Sequence, residues 1–336
     1  MLNRLALMLF TIATKSPHLL FRTHAFRSCC NLRSLVIPAK VNKIEGYAFC
    51  NCTGLVPITI PNSVADICER AFYDCHKLRS IMIPPNVTQI KSYTCNGLSS
   101  ITSIGIPPRA QSIYIGAFFN CVNLVNVTIG ESVGIRSEYA FYKCESISSI
   151  EFLGDLKSIH TYAFANDIGL TSLTIPESVD KIGSYAFKSC PNLISIQTHP
   201  STSKDEKLGP IDSHAFDNCK YLASITIPSL INTIGSFAFQ YLENLVTVSM
   251  TSNLLTINES AFSNCKSLIN IEIPEKVTNI YSYAFYECSN IQAITIPKNA
   301  SYIDNYVFGC CSGLKEVKIL GNTSTIIDSA FYFSIV

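Results

Sequence analysis

The sequence predicts a repeat solenoid of the α/β class, about fourteen coils of 23 residues stacked side by side with one parallel sheet along a face. Three observations predict it. A phenylalanine column runs through Phe26, Phe49, Phe72, Phe118, Phe141, Phe164, Phe187, Phe216, Phe239, Phe262, Phe285, Phe308 and Phe331, and every step but one is 23 residues or twice that. A second set of apolar positions keeps constant phase with the first, as in the copy from Leu170 to Asn192, LTSLTIPESVDKIGSYAFKSCPN. Finally, no reactive constellation repeats along with the apolar one. A fixed internal period of this length marks a quasi-one-dimensional array and overrides the two-domain expectation that 336 residues raise, so residues 1–336 read as one solenoid.

In chain order, residues 1–20 are a degenerate first coil or a signal-like leader. Met1 to Arg4 form a charged start and Leu5 to Ala13 a short apolar run, as in a secretory signal. Leu9 and Ile12 nevertheless fall on the phase of Leu32 and Leu35. No apolar run reaches the roughly 18 residues of a membrane-spanning helix, so none is expected. In the clean copy, Leu170, Leu173 and Ile175 read as a short strand ended by Pro176, because proline donates nothing to a continuing ladder. Val179 and Ile182 turn inward after a polar bend, and Tyr185, Ala186 and Phe187 lead a short helical or irregular return segment. The expected interior is therefore Leu170, Leu173, Ile175, Val179, Ile182, Ala186, Phe187 and Cys190. Residues 88–104 form a degenerate coil with Cys95 where phenylalanine is due, and loose packing is expected there. Six extra residues between Phe187 and Phe216 make an inserted loop at 199–207. One coil alone leaves strand edges and apolar faces uncovered; stacking covers both.

Composition excludes several function classes. With 25 basic against 24 acidic side chains and only 15% charged residues, no field is available to hold a polyanion, so nucleic acid is not an expected partner. No phosphate loop, GxGxxG, HExxH or GxSxG motif is present, and neither a cofactor nor an enzyme activity is expected. Ten coils place cysteine three residues after the phenylalanine position: Cys29, Cys52, Cys75, Cys121, Cys144, Cys190, Cys219, Cys265, Cys288 and Cys311. Equivalent Cβ atoms in stacked coils point in parallel rather than at each other, which disfavours a disulfide ladder. The column also breaks at Leu98, Asp167 and Leu242. Buried reduced thiols acting as small apolar fillers are the expectation. The extra thiols at Cys30, Cys50 and Cys310 lack the paired spacing of a zinc site, and the six histidines fall on differing phases.

The consensus LxxIxIPxxVxxIxxxAFxxCxxL, matched more than ten times between about Leu9 and Val336, resembles the repeat of the BspA-like family of leucine-rich-repeat surface proteins. That resemblance implies a leucine-rich-repeat solenoid on a microbial cell surface, engaged in adhesion to host proteins or to other cells.

The candidate binding residues are those the interior leaves free. Ser80, Ser103, Asn126, Ser149, Ser172, Ser195 and Ser224 stand at one outward strand position, and Thr128, Thr174 and Thr226 two residues further on. Together they make a neutral hydroxyl-rich face suited to broad contact with proteins or glycans, although serine and threonine are also ordinary β-compatible surface residues. The inserted loop adds Lys204, Asp205, Glu206 and Lys207, and loops on rigid scaffolds often carry specificity. The expected function is non-enzymatic protein or glycan binding as a surface adhesin or antigen-like module, with a cytoplasmic scaffold as the alternative. Location follows the same division, cell surface or extracellular by resemblance and cytoplasmic otherwise. The mid-repeat stop at Phe331 to Phe333 adds an expectation of either end-to-end self-association or a longer array of which this chain is a fragment.

Overall fold

The computed structural model describes residues 19–130, 134–135, 138–154, 156–199, 208–321 and 325–334. They form a parallel-sheet β-solenoid of about twelve turns rather than fourteen. The count of fourteen takes one coil for each phenylalanine position from Phe26 to Phe331, with Cys95 standing for the missing ring. The chain divides into two compact units, Met1–Leu156 and Lys157–Val336.

Each turn of the fold carries two strand positions, where the sequence reading had one. In the first unit, Ser103–Gly105, Asn126–Ile129 and Ser149–Phe152 form one ladder. Leu19–Phe21, Val41–Ile44 and Asp66–Ile67 form another, on the second strand position. In the second unit, Ser172–Pro176, Ser195–His199, Ser224–Thr226 and Thr247–Ser249 form a four-stranded ladder. There the second strand position, which includes Lys181–Ile182, builds an eight-stranded sheet from Ser158–Ile159 to Thr325–Ile326. All pairings are parallel, and Ser149 lies opposite Asn126 as Ser172 lies opposite Ser195, one repeat away in each case. The VxxI half of the repeat encodes these short strands, but two residues are too few for a period-2 signal.

The α/β assignment is corrected by the return segment, since the described residues contain no helix. Residues 184–189 are instead a run of turns with left-handed backbone at Tyr185 (φ 58) and Ser189 (φ 57), and the same two positions recur at positive φ in turn after turn. The hydrogen bonds explain why. The N–H groups of Tyr185, Phe187 and Ser189 donate to Ser213, Ala215 and Asp217 in the next turn, while Ala186 and Lys188 donate three residues back to Gly183 and Tyr185. A helix would need every N–H for its own ladder; here alternate donors are spent on the neighbour. Left-handed geometry costs about 1–2 kcal/mol per non-glycine residue, and it persists because bonds on both sides hold it. At Gly116 (φ 59) a Cβ would fall 2.4 Å from Cε1 of Tyr93, so the Tyr93 ring lies over the space the glycine leaves.

The predicted interior is the observed one. Leu170, Leu173, Ile175, Val179, Ile182, Ala186, Phe187 and Cys190 are all at most 3% exposed. Neighbouring phenylalanine rings stack at 5.0 to 5.6 Å between centroids and within 13° of parallel, from Phe26 through Phe72 and again from Phe164 through Phe331. Where Cys95 replaces the ring, a cavity of about 10 Å³ opens among Ile67, Phe72, Ile83, Ile90 and Cys95.

All fifteen cysteines are free. The column is more than filler, because its buried thiols donate to the carbonyl of the column residue one turn back: Cys75 to Phe49 at 3.1 Å, Cys265 to Phe239 at 3.1 Å and Cys288 to Phe262 at 3.2 Å, with Cys121 donating to Cys95 where the phenylalanine is replaced. Ser334 takes the same position and donates to the carbonyl of Phe308. Burial pushes the Cys52 and Cys311 thiols from their ordinary 9.0 up to about 12, and Cys75, Cys265 and Cys288 upward as well. A pKa raised in the fold means that the folded chain holds protons the unfolded chain has lost. The contribution is therefore whole below pH 9.0 and drains away as pH rises toward about 12. Equilibrium unfolding across that window is expected to show a steep alkaline loss of stability, reduced in a variant carrying serine at Cys52 and Cys311. In the same window iodoacetamide should label exposed Cys30 first, read by mass spectrometry.

Candidate binding face

The strand ladders position the predicted hydroxyl column. Within a strand, alternate side chains face opposite ways, so burying Leu173 and Ile175 turns Ser172 and Thr174 outward, and both are exposed. In the second unit Ser172, Ser195, Ser224 and Thr247 lie opposite one another in successive strands, and Thr247 bridges to Asn270. In the first unit Ser103, Asn126 and Ser149 do the same, and the Ser149 hydroxyl donates to Asn126 Oδ1 at 2.8 Å. Ser80, Ser103, Asn126 and Ser149 are exposed, while Thr128, Ser195, Ser224 and Thr226 are half-buried. Ser80 is the exception in placement, lying outside any strand. Lys204, Asp205, Glu206 and Lys207 lie outside the described residues.

Beside this column runs a groove that sequence reasoning missed. Thr171, Asn192, Ile194, Tyr221, Ala223 and Asn244 line an open depression of about 500 Å³ in the second unit. Ile194 is 52% and Tyr221 58% exposed. Asn192 and Asn244 donate from Nδ2 to the carbonyls of Ile168 and Lys220 one turn back, which fixes the amides in the groove wall. Two exposed apolar side chains beside an uncharged hydroxyl column make a surface that contributes contact area and hydrogen bonds without a field of either sign. The one signal for it was that Tyr221 occupies a position held by Asn, Gly, Ser or Lys in the other coils through that of Phe308.

A further outward column lies on the turn run. Tyr162, Tyr185, His214 and Phe237 stack on one another at 4.8 to 5.0 Å, and Tyr283 stacks on Tyr306 at 5.1 Å. Close by, the Cys310 thiol and the Tyr286 hydroxyl are hydrogen-bonded at 3.4 Å, and that pairing raises the hydroxyl's pKa to about 12. Among the described residues no group of three or more His, Cys, Asp or Glu side chains is placed to hold a metal ion. No helix of the described residues is long and apolar enough to cross a membrane.

The sequence profile of the BspA type leucine rich repeat region matches residues 21–136, 135–207 and 209–335. The chain belongs to the BspA-type leucine-rich repeat family. Among solved structures it is similar to a leucine-rich repeat protein from Bacteroides ovatus, with 27% identity and a TM-score of 0.64, over 89% of this chain and 81% of that one. It also matches a leucine rich cell surface protein from Faecalibacterium prausnitzii, with 28% identity and a TM-score of 0.49, over 87% of this chain and 89% of that one. No match was found among curated proteins. A BspA-type leucine-rich repeat built this way is a repeat protein for interaction, and the stacked turns explain why: they hold outward columns in register on a rigid interior.

Proposed function

We propose that this BspA-type repeat is a non-enzymatic binding module that takes a protein or glycan partner on the strand face of its second unit, as an adhesin at a microbial cell surface. The observation that carries the reading is the in-register run of Ser172, Ser195 and Ser224 beside the exposed Ile194 and Tyr221. Such a face suits a neutral partner that is contacted broadly. The membership of the family supports the surface setting.

The test is capture of candidate host surface proteins and arrayed glycans by the purified chain, repeated with Ser195→Arg and Tyr221→Ala. Both side chains are outward, so melting curves should stay within about 0.5 kcal/mol of the native chain while capture falls at least tenfold. Capture that survives both substitutions would sink the strand-face reading.

Fifteen free thiols favour a second reading, a cytoplasmic scaffold using the same face. Thiol titration of protein from its native source separates the two, since all fifteen reduced and no attached glycan would remove the exported setting. Self-association is a further part of the proposal, supported by the exposed Tyr332 and Phe333, which offer a surface to a further coil. Sedimentation at increasing concentration reads it directly.

A further inference from the structure

In the second unit planar groups occupy the outward column of the turn run from Tyr162 to Tyr306 with one interruption. Phe237 ends one run of stacked rings, Tyr283 begins the next, and Ser260 stands between them. In this column one turn separates ring centroids by 4.8 to 5.1 Å. Two turns at the usual strand spacing therefore put the Phe237 and Tyr283 rings roughly 10 Å apart. That span leaves room for one planar group at the 4.8 to 5.1 Å centroid spacing that the stacked rings of this column keep. Among the described residues no ring contact joins Phe237 to Tyr283. Between the two rings Ser260 is 6% exposed, while Tyr283 is 37% exposed and Phe237 half-buried.

The first unit shows what fills the equivalent place. Arg70 occupies the same repeat position as Ser260, with φ 52 against 54. Its guanidinium carbon sits 5.5 Å from the Tyr47 ring centroid and 4.8 Å from that of Tyr93, and Nη1 donates to the Tyr47 hydroxyl at 2.9 Å. A guanidinium is flat, weakly hydrated and attracted to ring faces, so it replaces a missing ring better than an ammonium does. At Ser260 the chain supplies no such group but does supply a counter-charge. Glu259, the adjacent residue, is exposed and in no ion pair among the described residues.

We propose that the slot above Ser260, walled by Phe237 and Tyr283, binds an arginine side chain of a polypeptide partner, with the guanidinium stacked between the rings and Glu259 as its counter-ion. The site lies on the turn run rather than the strand face and does not depend on the binding proposed there.

The experiment titrates the full chain with N-acetyl-arginine amide and follows the ring proton signals of Phe237 and Tyr283. Saturable shifts at both rings are expected, with no saturation by N-acetyl-lysine amide or N-acetyl-tyrosine amide. Glu259→Gln should weaken the arginine amide several-fold, and Tyr283→Ala, which removes one wall, should abolish its binding. Ser260→Arg should also abolish it while raising the melting temperature, because the new side chain fills the slot on a backbone that Arg70 already adopts. Absence of saturable shifts with the arginine amide, an equal response to the lysine or tyrosine amide, or unchanged affinity in the folded Ser260→Arg chain would overturn the proposal. The strand-face variants at Ser195 and Tyr221 leave this column untouched, so failure of one site is distinguishable from failure of the other.

Discussion

Phe262→Ala is expected to lower the unfolding free energy by about 3–5 kcal/mol, the cost of removing a fully buried aromatic ring from a core that collapses poorly around the gap. Phe262 is 0% exposed and stacks on Phe239 at 5.0 Å and on Phe285 at 5.3 Å, so its loss leaves two ring faces without a partner. In a stack where each turn contacts only its neighbours, stability is a sum of turn and interface contributions. Deleting one ring in mid-stack weakens two interfaces at once, and urea unfolding should separate into two transitions where the native chain shows a more cooperative one. Phe333→Ala supplies the control. Phe333 is 73% exposed, so its removal should change the midpoint little, and an equal loss from both variants would contradict the assignment of the column to the interior.

Substitutions at Cys288 discriminate between two accounts of the cysteine column. If the thiols only fill space, Cys288→Val should match the native chain and Cys288→Ser should be the damaging change. The geometry predicts the opposite order. The Phe262 carbonyl accepts from the N–H of Cys265 and from the Cys288 thiol, both at 3.2 Å. Valine removes the second donor inside the core and is expected to cost about 1–2 kcal/mol, toward the low end for an unmet buried group because the carbonyl keeps its first donor. Serine keeps a donor, as Ser334 does in the last described turn, and is expected to stay within about 1 kcal/mol of the native chain. Chemical denaturation of the two variants reads the order directly, and a valine variant more stable than the serine one would restore the filler account. The column tolerates Leu98 and Leu242 for the same reason that limits the valine cost. There the carbonyls of Phe72 and Phe216 still accept from the N–H groups of Cys75 and Cys219.

The candidate face was partly legible and partly not. Ser172 and Thr174 were found because the alternation around Leu173 and Ile175 places them outward by elementary strand geometry, and their register with Ser195 and Ser224 follows from the constant period. Ile194 and Tyr221 were not found, because a single copy shows each only as one apolar residue, and Val56, Val125 and Ile269 stand at the position of Ile194 in other coils. Their meaning comes from being brought side by side across turns. Arg70 and Ser260 were equally silent, since nothing local distinguishes a surface arginine clamped between two tyrosines from one in solvent.

What the sequence determined by itself was the repeat, its phase and its interior. The eight core positions of the turn beginning at Leu170 are buried as read, because burial follows from side-chain chemistry that recurs every 23 residues. What only the tertiary structure decided was the backbone between them and the columns on its surface. Tyr185 and Ser189 take left-handed angles in place of a helix, and Cys288 donates a thiol proton rather than merely filling space, for one physical reason. The partners of those N–H and S–H groups sit one turn away in the chain, beyond the reach of any local pattern, and stacking alone brings them within bonding distance.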